Sequence, residues 1–279
     1  MPELPEVETV ARSLRPHLVG RTIRRVETSG FSLRRPVDAD HLTHASVGAR
    51  IEAVDRIGKY LLVRLSRGHV LLSHLGMSGQ LLFSPAASAR AAHTHVVFQL
   101  APLRGGNGDE LRYVDPRRFG VLVAYAERDL AMCPELHSLG PDPLSESFTL
   151  DYFLAEARTS RRDIKQFLLD QNRIAGLGNI YVAEALHAAG ISPRRRADRL
   201  GPARVEKLHA AIRSVLFSSV ERRGTSLRDY VDADGASGGN QHHLAVYGRE
   251  GERCHACGAI VRRLVQGARS TFYCPGCQR

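Results

Sequence analysis

The sequence predicts an α+β multidomain chain: an N-terminal β-sandwich with a flanking helix, then a helical domain, then a small module held by four cysteines. Three observations predict it. Short strand-like runs separated by polar turns recur between residues 60 and 125, the pattern of a sandwich. Beyond residue 133 the apolar spacing becomes helical. The chain then closes on two C-x2-C pairs. A length of 279 residues suits two domains and a small third module, at about 100–200 residues per domain. We place the domains at 1–133, 134–243 and 244–279.

The elements follow in order. Residues 3–15 form a helix, with Val7, Val10, Ala11 and Leu14 on one face. Pro5 suits its first turn, and Pro16 is expected to end or kink it. Strands follow at 60–65, 69–75, 94–100, 111–114 and 120–125, with Asn107-Gly108 as a hairpin turn between the third and fourth. Pro134, Pro141 and Pro143 mark a boundary. Three helical stripes come next: Ile164, Phe167 and Leu168; Ile180, Ala183 and Leu186, capped by Gly190; and Val205, Leu208, Ile212, Val215 and Leu216, closed by Gly224. Between the first two lies the Gly-rich turn 173–179, with Asn179 placed to cap the following helix. This reads as a helix–turn–helix variant whose free N–H groups can hold a phosphate. An ordinary helical hairpin fits the same pattern. Residues 231–243 are polar and Gly-rich, either a lid or a linker.

Composition narrows the class. Lys+Arg 39 against Asp+Glu 29 leaves a net charge of +10, which favours a polyanion such as nucleic acid. A basic enzyme without such a partner has the same balance. Hydrophobic content of 43% and charged content of 24% exclude a disordered or collagen-like chain. No 18-residue apolar run exists, so no transmembrane helix is expected. Glu3, Glu6 and Glu8 without an apolar h-region argue against a secretory signal, so the expected location is the cytoplasm. Only Lys59, Lys165 and Lys207 are lysines, leaving 36 arginines (39 − 3). A GC-rich genome accounts for that bias, yet a lysine retained in a strand-like segment, Lys59, is a candidate for chemistry. Cys133 is isolated and reads as a buried apolar filler.

The other cysteines are Cys254, Cys257, Cys274 and Cys277, two C-x2-C pairs separated by 16 residues. This is four-thiolate zinc spacing. Two disulfides are the alternative, which a reducing compartment disfavours. Four protein ligands close the shell, so one structural Zn2+ is expected, stabilising a module too small for its own core.

The first residues carry a further possibility. If Met1 is removed, Pro2 presents a free secondary amine. An α-amine has a pKa of about 7.7–8.0 against about 10.4 for lysine, so it is a ready nucleophile toward an aldehyde-level carbon. Glu3 beside it can move protons. Most chains beginning Met-Pro make no use of that proline, and acids at a helix start simply suit the macrodipole.

Several segments together resemble the formamidopyrimidine-DNA glycosylase family. They are Met-Pro-Glu-Leu-Pro-Glu-Val-Glu-Thr at 1–9, Gly-Lys-Tyr-Leu-Leu at 58–62 and His-Leu-Gly-Met-Ser-Gly at 74–79. Asp-Pro-Arg-Arg-Phe-Gly at 115–120 and Gly-Leu-Gly-Asn-Ile-Tyr at 176–181 continue the match, the latter on the family's helix–two-turn–helix. Val-Tyr-Gly-Arg at 246–249 and Arg-Ser-Thr-Phe-Tyr-Cys at 269–274 resemble its zinc finger. The resemblance covers the whole chain in the family's order and spacing.

It implies a bifunctional DNA glycosylase and AP lyase of base excision repair. Pro2 would attack C1′ of an oxidised purine nucleotide, 8-oxoguanine or a formamidopyrimidine, and expel the base through a Schiff base. Glu3 would protonate the sugar ring oxygen, Lys59 would assist β-elimination, and Arg269 would clasp phosphate for δ-elimination. Met77, Arg117 and Phe119 correspond to the trio that fills the void left by the flipped base. His74, His93, Arg161, Lys165, Asn179 and Tyr247 correspond to phosphate contacts. The partner implied is double-stranded DNA with oxidised bases or abasic sites, met by a monomer with no membrane association. The sequence departs from the family at Asn240, where an aromatic is usual, and at Ser160, where a basic residue is common. The alternatives are an endonuclease VIII-like enzyme for oxidised pyrimidines and a non-catalytic, zinc-dependent binder of damaged DNA.

Overall fold

The computed structural model describes residues 1–102 and 108–279. The chain divides into two compact units, Met1–His137 with Arg223–Gly239, and Ser138–Arg222 with Asn240–Arg279. The polar Gly-rich stretch is therefore split, since most of it clusters with the first unit while Asn240–His243 belongs to the second.

The first unit opens with α1 (Leu4–Leu18). Glu3 and Glu6 form a capping box at its start, and Pro5 sits in the first turn as expected. Pro16 does not stop the helix where it stands. It lies in the last turn, and the Val19 N–H still reaches the Arg15 carbonyl at 3.1 Å before the chain leaves. Pro16 has no N–H to give the Arg12 carbonyl, and the helix runs only two residues beyond it.

Two four-stranded antiparallel sheets follow. One has the order β1-β6-β7-β5 and the other β2-β3-β4-β8. In chain order the elements are β1 (Ile23–Thr28), α2 (Ala39–Ser46), β2 (Ile51–Ile57), β3 (Tyr60–Leu65), β4 (His69–His74), β5 (Gln80–Pro85), β6 (Thr94–Leu100), β7 (Asp109–Val114) and β8 (Val121–Ala126). The sandwich is thus present, and β6 pairs with β7 as a hairpin. Asn107 of the predicted turn lies outside the described residues. The strands that periodicity misses, β1, β2 and β5, are all edges; β1 and β2 are broken by charged residues and β5 is a short run ending at Ser84-Pro85, whereas the more apolar edge β8 is found.

The main core joins the α1 face (Val7, Val10, Leu14) to Leu61, Val63, Phe98 and Tyr113 from the two sheets. Each fully buried Leu or Val contributes about 1.5–3 kcal/mol of transfer free energy. A smaller cluster on the other face of the second sheet gathers Leu62, Leu72 and Cys133, so Cys133 is the apolar filler expected.

The second unit is built on α3 (Leu150–Thr159), α4 (Ile164–Leu169), α5 (Asn179–Ala189) and α6 (Pro202–Glu221), followed by the hairpin β9 (Arg262–Gln266) and β10 (Arg269–Tyr273). The three predicted stripes face its interior, with Val215 half-buried. Gly190 caps α5 in the left-handed region at φ 70°. Asn179 is not the N-cap. Gly178 takes that place, and the Asn179 amide instead donates to the Ser270 carbonyl at 2.9 Å. Among the described residues no helix is long and apolar enough to cross a membrane.

Candidate active site and nucleic-acid interface

In the first unit, the α1 start sets Pro2 and Glu3 in buried positions, while Met1 is half exposed. The Glu3 N–H donates to Glu6 Oε2 at 2.8 Å. The other Glu6 oxygen accepts the Thr225 N–H at 2.7 Å, tying the returning segment to the helix start. Glu6 is a site residue that the sequence reading missed. Its signal was the spacing Glu3-x-x-Glu6, a capping box whose Glu is then shared.

Lys59 sits in the two-residue turn between β2 and β3, whose first residue, Gly58, has φ 57°. Only glycine takes that conformation cheaply, which accounts for the Gly-Lys pair. Arg56 donates to the Gly58 carbonyl at 3.0 Å and to Glu8 at 3.1 Å, fixing the turn from below. Lys59 itself is 7% exposed.

The β3–β4 register sets Tyr60 opposite His74, so the Lys59 turn and His74 are neighbours. Burial first, then the charges of Lys59, Arg34 and the chain N-terminus, push the His74 pKa down to about 4. His74 is therefore neutral at physiological pH. Its Nδ1 accepts the Gly76 N–H at 3.0 Å, so the ring proton sits on Nε2. The result is a neutral hydrogen-bond donor among three cations, a setting that suits a phosphate or a developing oxyanion.

Met77 and Phe119 are 43% and 46% exposed, unlike core residues of their type. Arg117 is exposed as well, with its guanidinium 4.8 Å above the Phe119 ring. Asp115 organises this tip and is fully buried. Its Oδ1 accepts the Ser78 hydroxyl at 2.7 Å and the Arg117 N–H at 3.3 Å, and its Oδ2 accepts the Gly120 N–H at 2.9 Å. One carboxylate thus joins the Met77 turn to the Arg117–Phe119 turn. The glycines are sterically required. A Cβ at Gly76 (φ 61°) would lie 2.6 Å from the Phe119 backbone, and one at Gly120 would lie 1.7 Å from the Tyr113 hydroxyl. His93 is exposed with φ 64°, and its carbonyl accepts the Asp115 N–H at 3.0 Å.

In the second unit, Lys165 is buried under the finger hairpin. Its ammonium donates to the Ser270 carbonyl at 3.0 Å and to Thr271 Oγ1 at 2.6 Å. Burial, offset by Asp163 and reinforced by Arg269, lowers its pKa to about 8. Lys165 and Asn179 therefore both hold β10 from beneath. Arg269 opens on a cleft of about 340 Å³ with Arg162, Gln166 and Gln171. Gln171 wraps the Gly-rich turn, donating to Leu177 O at 2.9 Å and accepting the Gly176 N–H at 3.0 Å. Arg161 is exposed, and Ser160 beside it is buried. The Tyr247 ring packs edge-on against Phe272 at 5.1 Å. The N–H groups of Ala245, Val246 and Tyr247 all donate to the Glu184 carboxylate at 2.7–3.0 Å. Glu184 and Gln171 carried no sequence signal, since their partners are defined only by the folded backbone.

The sulfurs of Cys254, Cys257, Cys274 and Cys277 lie within 4.8 Å of one another. Cys254–Cys277 and Cys257–Cys274 are 3.8 and 3.4 Å apart. A tetrahedron with Zn–S bonds of about 2.3 Å has edges of about 3.8 Å, so these four thiols fit one zinc ion.

Comparison with known proteins gives three family matches. Residues 1–122 match the formamidopyrimidine-DNA glycosylase N-terminal domain, 139–231 its H2TH domain, and 251–279 the zinc finger found in FPG and IleRS. The formamidopyrimidine-DNA glycosylases of Stutzerimonas stutzeri and Xanthomonas oryzae are 47% and 45% identical to this chain, each over the full length of both. The MutM (FPG) structure from Thermus thermophilus is 42% identical with a TM-score of 0.86, covering 99% of this chain and 98% of that one. A Lactococcus lactis Fpg bound to abasic-site DNA is 33% identical, with a TM-score of 0.90 and 99% of each chain covered.

Proposed function

This chain belongs to the formamidopyrimidine-DNA glycosylase family, and from that premise we propose how its own residues carry out the chemistry. The chain is a base-excision DNA glycosylase with one structural zinc. Solved relatives hold DNA containing Fapy-dG or an abasic site, and the same lesions are this protein's expected substrates. An enzyme that acts on DNA works inside the cell; we place it in the cytoplasm, on the nucleoid, as a monomer. The functional boundaries we assign are those of the sequence reading, 1–133, 134–243 and 244–279.

Removal of Met1 frees the Pro2 nitrogen. That nitrogen attacks C1′ of the flipped nucleotide, the C1′–base bond breaks, and Glu3 protonates the sugar ring oxygen as the ring opens to a Schiff base. Lys59 helps remove the proton for β-elimination, which expels the 3′ phosphate. Arg269 holds phosphate for the second elimination. Met77 and Phe119 enter the void, and Arg117 hydrogen-bonds the orphaned cytosine. His74, His93, Arg161 and Tyr247 donate to phosphates. Lys165 and Asn179 shape the hairpin that carries Arg269. The observation that carries this reading is that the first unit buries Pro2 and Glu3 at the start of α1 and buries Lys59 in the β2–β3 turn beside His74, where burial and the charges of Lys59, Arg34 and the N-terminal amine keep that histidine neutral.

Borohydride trapping on a duplex with one 8-oxoguanine opposite cytosine tests it. A covalent adduct mapped to Pro2 is expected, and Glu3→Gln should abolish excision while binding persists. An adduct only on an oxidised pyrimidine would move the protein to the endonuclease VIII-like class. Binding with no adduct on either substrate would leave a non-catalytic binder.

A further inference from the structure

The α5 helix meets the finger through more than apolar packing. Glu184 on its inner face collects three successive N–H groups of the segment entering the zinc module. One turn later, His187 turns its Nε2 toward Cys254 Sγ at 3.5 Å. At the helix end, Gln278 donates to the Ile191 carbonyl at 2.9 Å, and the Arg279 N–H donates to that of Gly190 at 3.2 Å. The finger is thus fastened along the helix that follows the Gly-rich turn, and one of these fastenings ends on a zinc ligand.

We propose that His187 is an outer-shell partner of the zinc site, donating its Nε2–H to the Cys254 thiolate. It thereby orients that ligand and slows loss of the metal. The argument is chemical. A zinc-bound thiolate keeps lone pairs and partial negative charge, and an N–H donor neutralises part of both. Without that donor the sulfur is less firmly oriented and more open to electrophiles and competing chelators, which draw zinc out of four-thiolate sites. His187 lies on α5, outside the zinc module. It makes zinc retention depend on α5 being in place. His187 is a positioning residue, not a zinc ligand, since the four sulfurs already complete the tetrahedron.

The inference rests on the four-thiolate zinc site, and the test separates the two. Zinc content is measured first in the unsubstituted protein, then the rate of zinc transfer to a chromogenic chelator is followed in it, in His187→Leu and in His187→Gln. One zinc per chain, release about ten-fold faster for His187→Leu, and a rate nearer the parent for His187→Gln are expected. Parent protein without zinc would overturn the metal site itself. One zinc with equal rates in all three would overturn the role of His187 alone. If His187→Leu does not fold, the unsubstituted protein decides. Its cadmium-113 form should show the His187 proton on Nε2 with through-bond coupling to the metal, and a proton on Nδ1 with no coupling refutes the proposal.

Discussion

Replacing Asp115 with Asn tests whether the exposed Met77–Phe119 tip is held by one buried carboxylate. The side chains are nearly isosteric, so packing is kept while the charge and one acceptor are lost. The amide oxygen is expected to face the Gly120 N–H. The Ser78 hydroxyl can then reverse and accept from the new NH2, but the Arg117 N–H is left facing a donor. The bonds to Ser78 and Gly120 become neutral, and a neutral hydrogen bond is worth roughly half a charge-assisted one, about 1 against about 1.5–3 kcal/mol. The Arg117 bond, at 3.3 Å, adds little. The expected loss is about 2 kcal/mol, or about 4–8 °C in the Tm of a unit of this size. Thermal and urea unfolding of Asp115→Asn, Ser78→Ala and the double variant would measure it, with a coupling of about 1 kcal/mol between the two sites. A Tm within about 1 °C of the parent, or strictly additive single effects, would refute the idea that Asp115 joins the two turns.

Three further outcomes are expected. Gly120→Ala drives a Cβ into Tyr113 and the His74 carbonyl, and should cost about 3 kcal/mol or more in denaturant unfolding; a neutral result would contradict the geometry. Glu184→Gln leaves one N–H of the 245–247 trio without an acceptor. It should cost about 1–3 kcal/mol and weaken DNA binding with zinc content unchanged, as read by urea unfolding, fluorescence anisotropy and metal analysis. The folded-state pKa of His74 lies below its unfolded value, so its contribution to stability is full above pH 6.5 and is lost as pH falls toward 4. The stability–pH slope in that window should shrink by about one proton in His74→Asn, and an unchanged slope would count against a neutral buried imidazole.

Much was legible in the sequence for physical reasons that differ by element. Central strands β3, β4 and β6 announce themselves because burial on both faces gives near-continuous apolar runs. Edge strands β1 and β2 do not, since charged residues interrupt their apolar runs, and β5 offers only three apolar residues before Ser84-Pro85, while the edge β8 is apolar throughout and is readable. Gly190 and Pro5 were readable because caps and first turns are local events. Asn179 was misassigned as a cap because its side chain is claimed by Ser270, which lies 91 positions away. Pro16 stands inside α1, which runs two residues past it to Leu18, so the proline marks the helix end only to within half a turn.

Sequence alone determined the family, the sandwich, and the four cysteines that fit one zinc. These depend on residue type at fixed spacing, and spacing survives in one dimension. Only the tertiary structure decided that Asp115 joins two turns, that Glu6 is shared with Thr225, that Lys165 lies buried beneath Thr271, and that His187 meets Cys254. Each of these pairs a side chain with a backbone group or side chain distant in the chain. A buried polar group has to find its partner in the folded state or bear the full cost of desolvation. The amino-acid pattern shows that such groups exist, and the folded backbone selects the atoms that satisfy them.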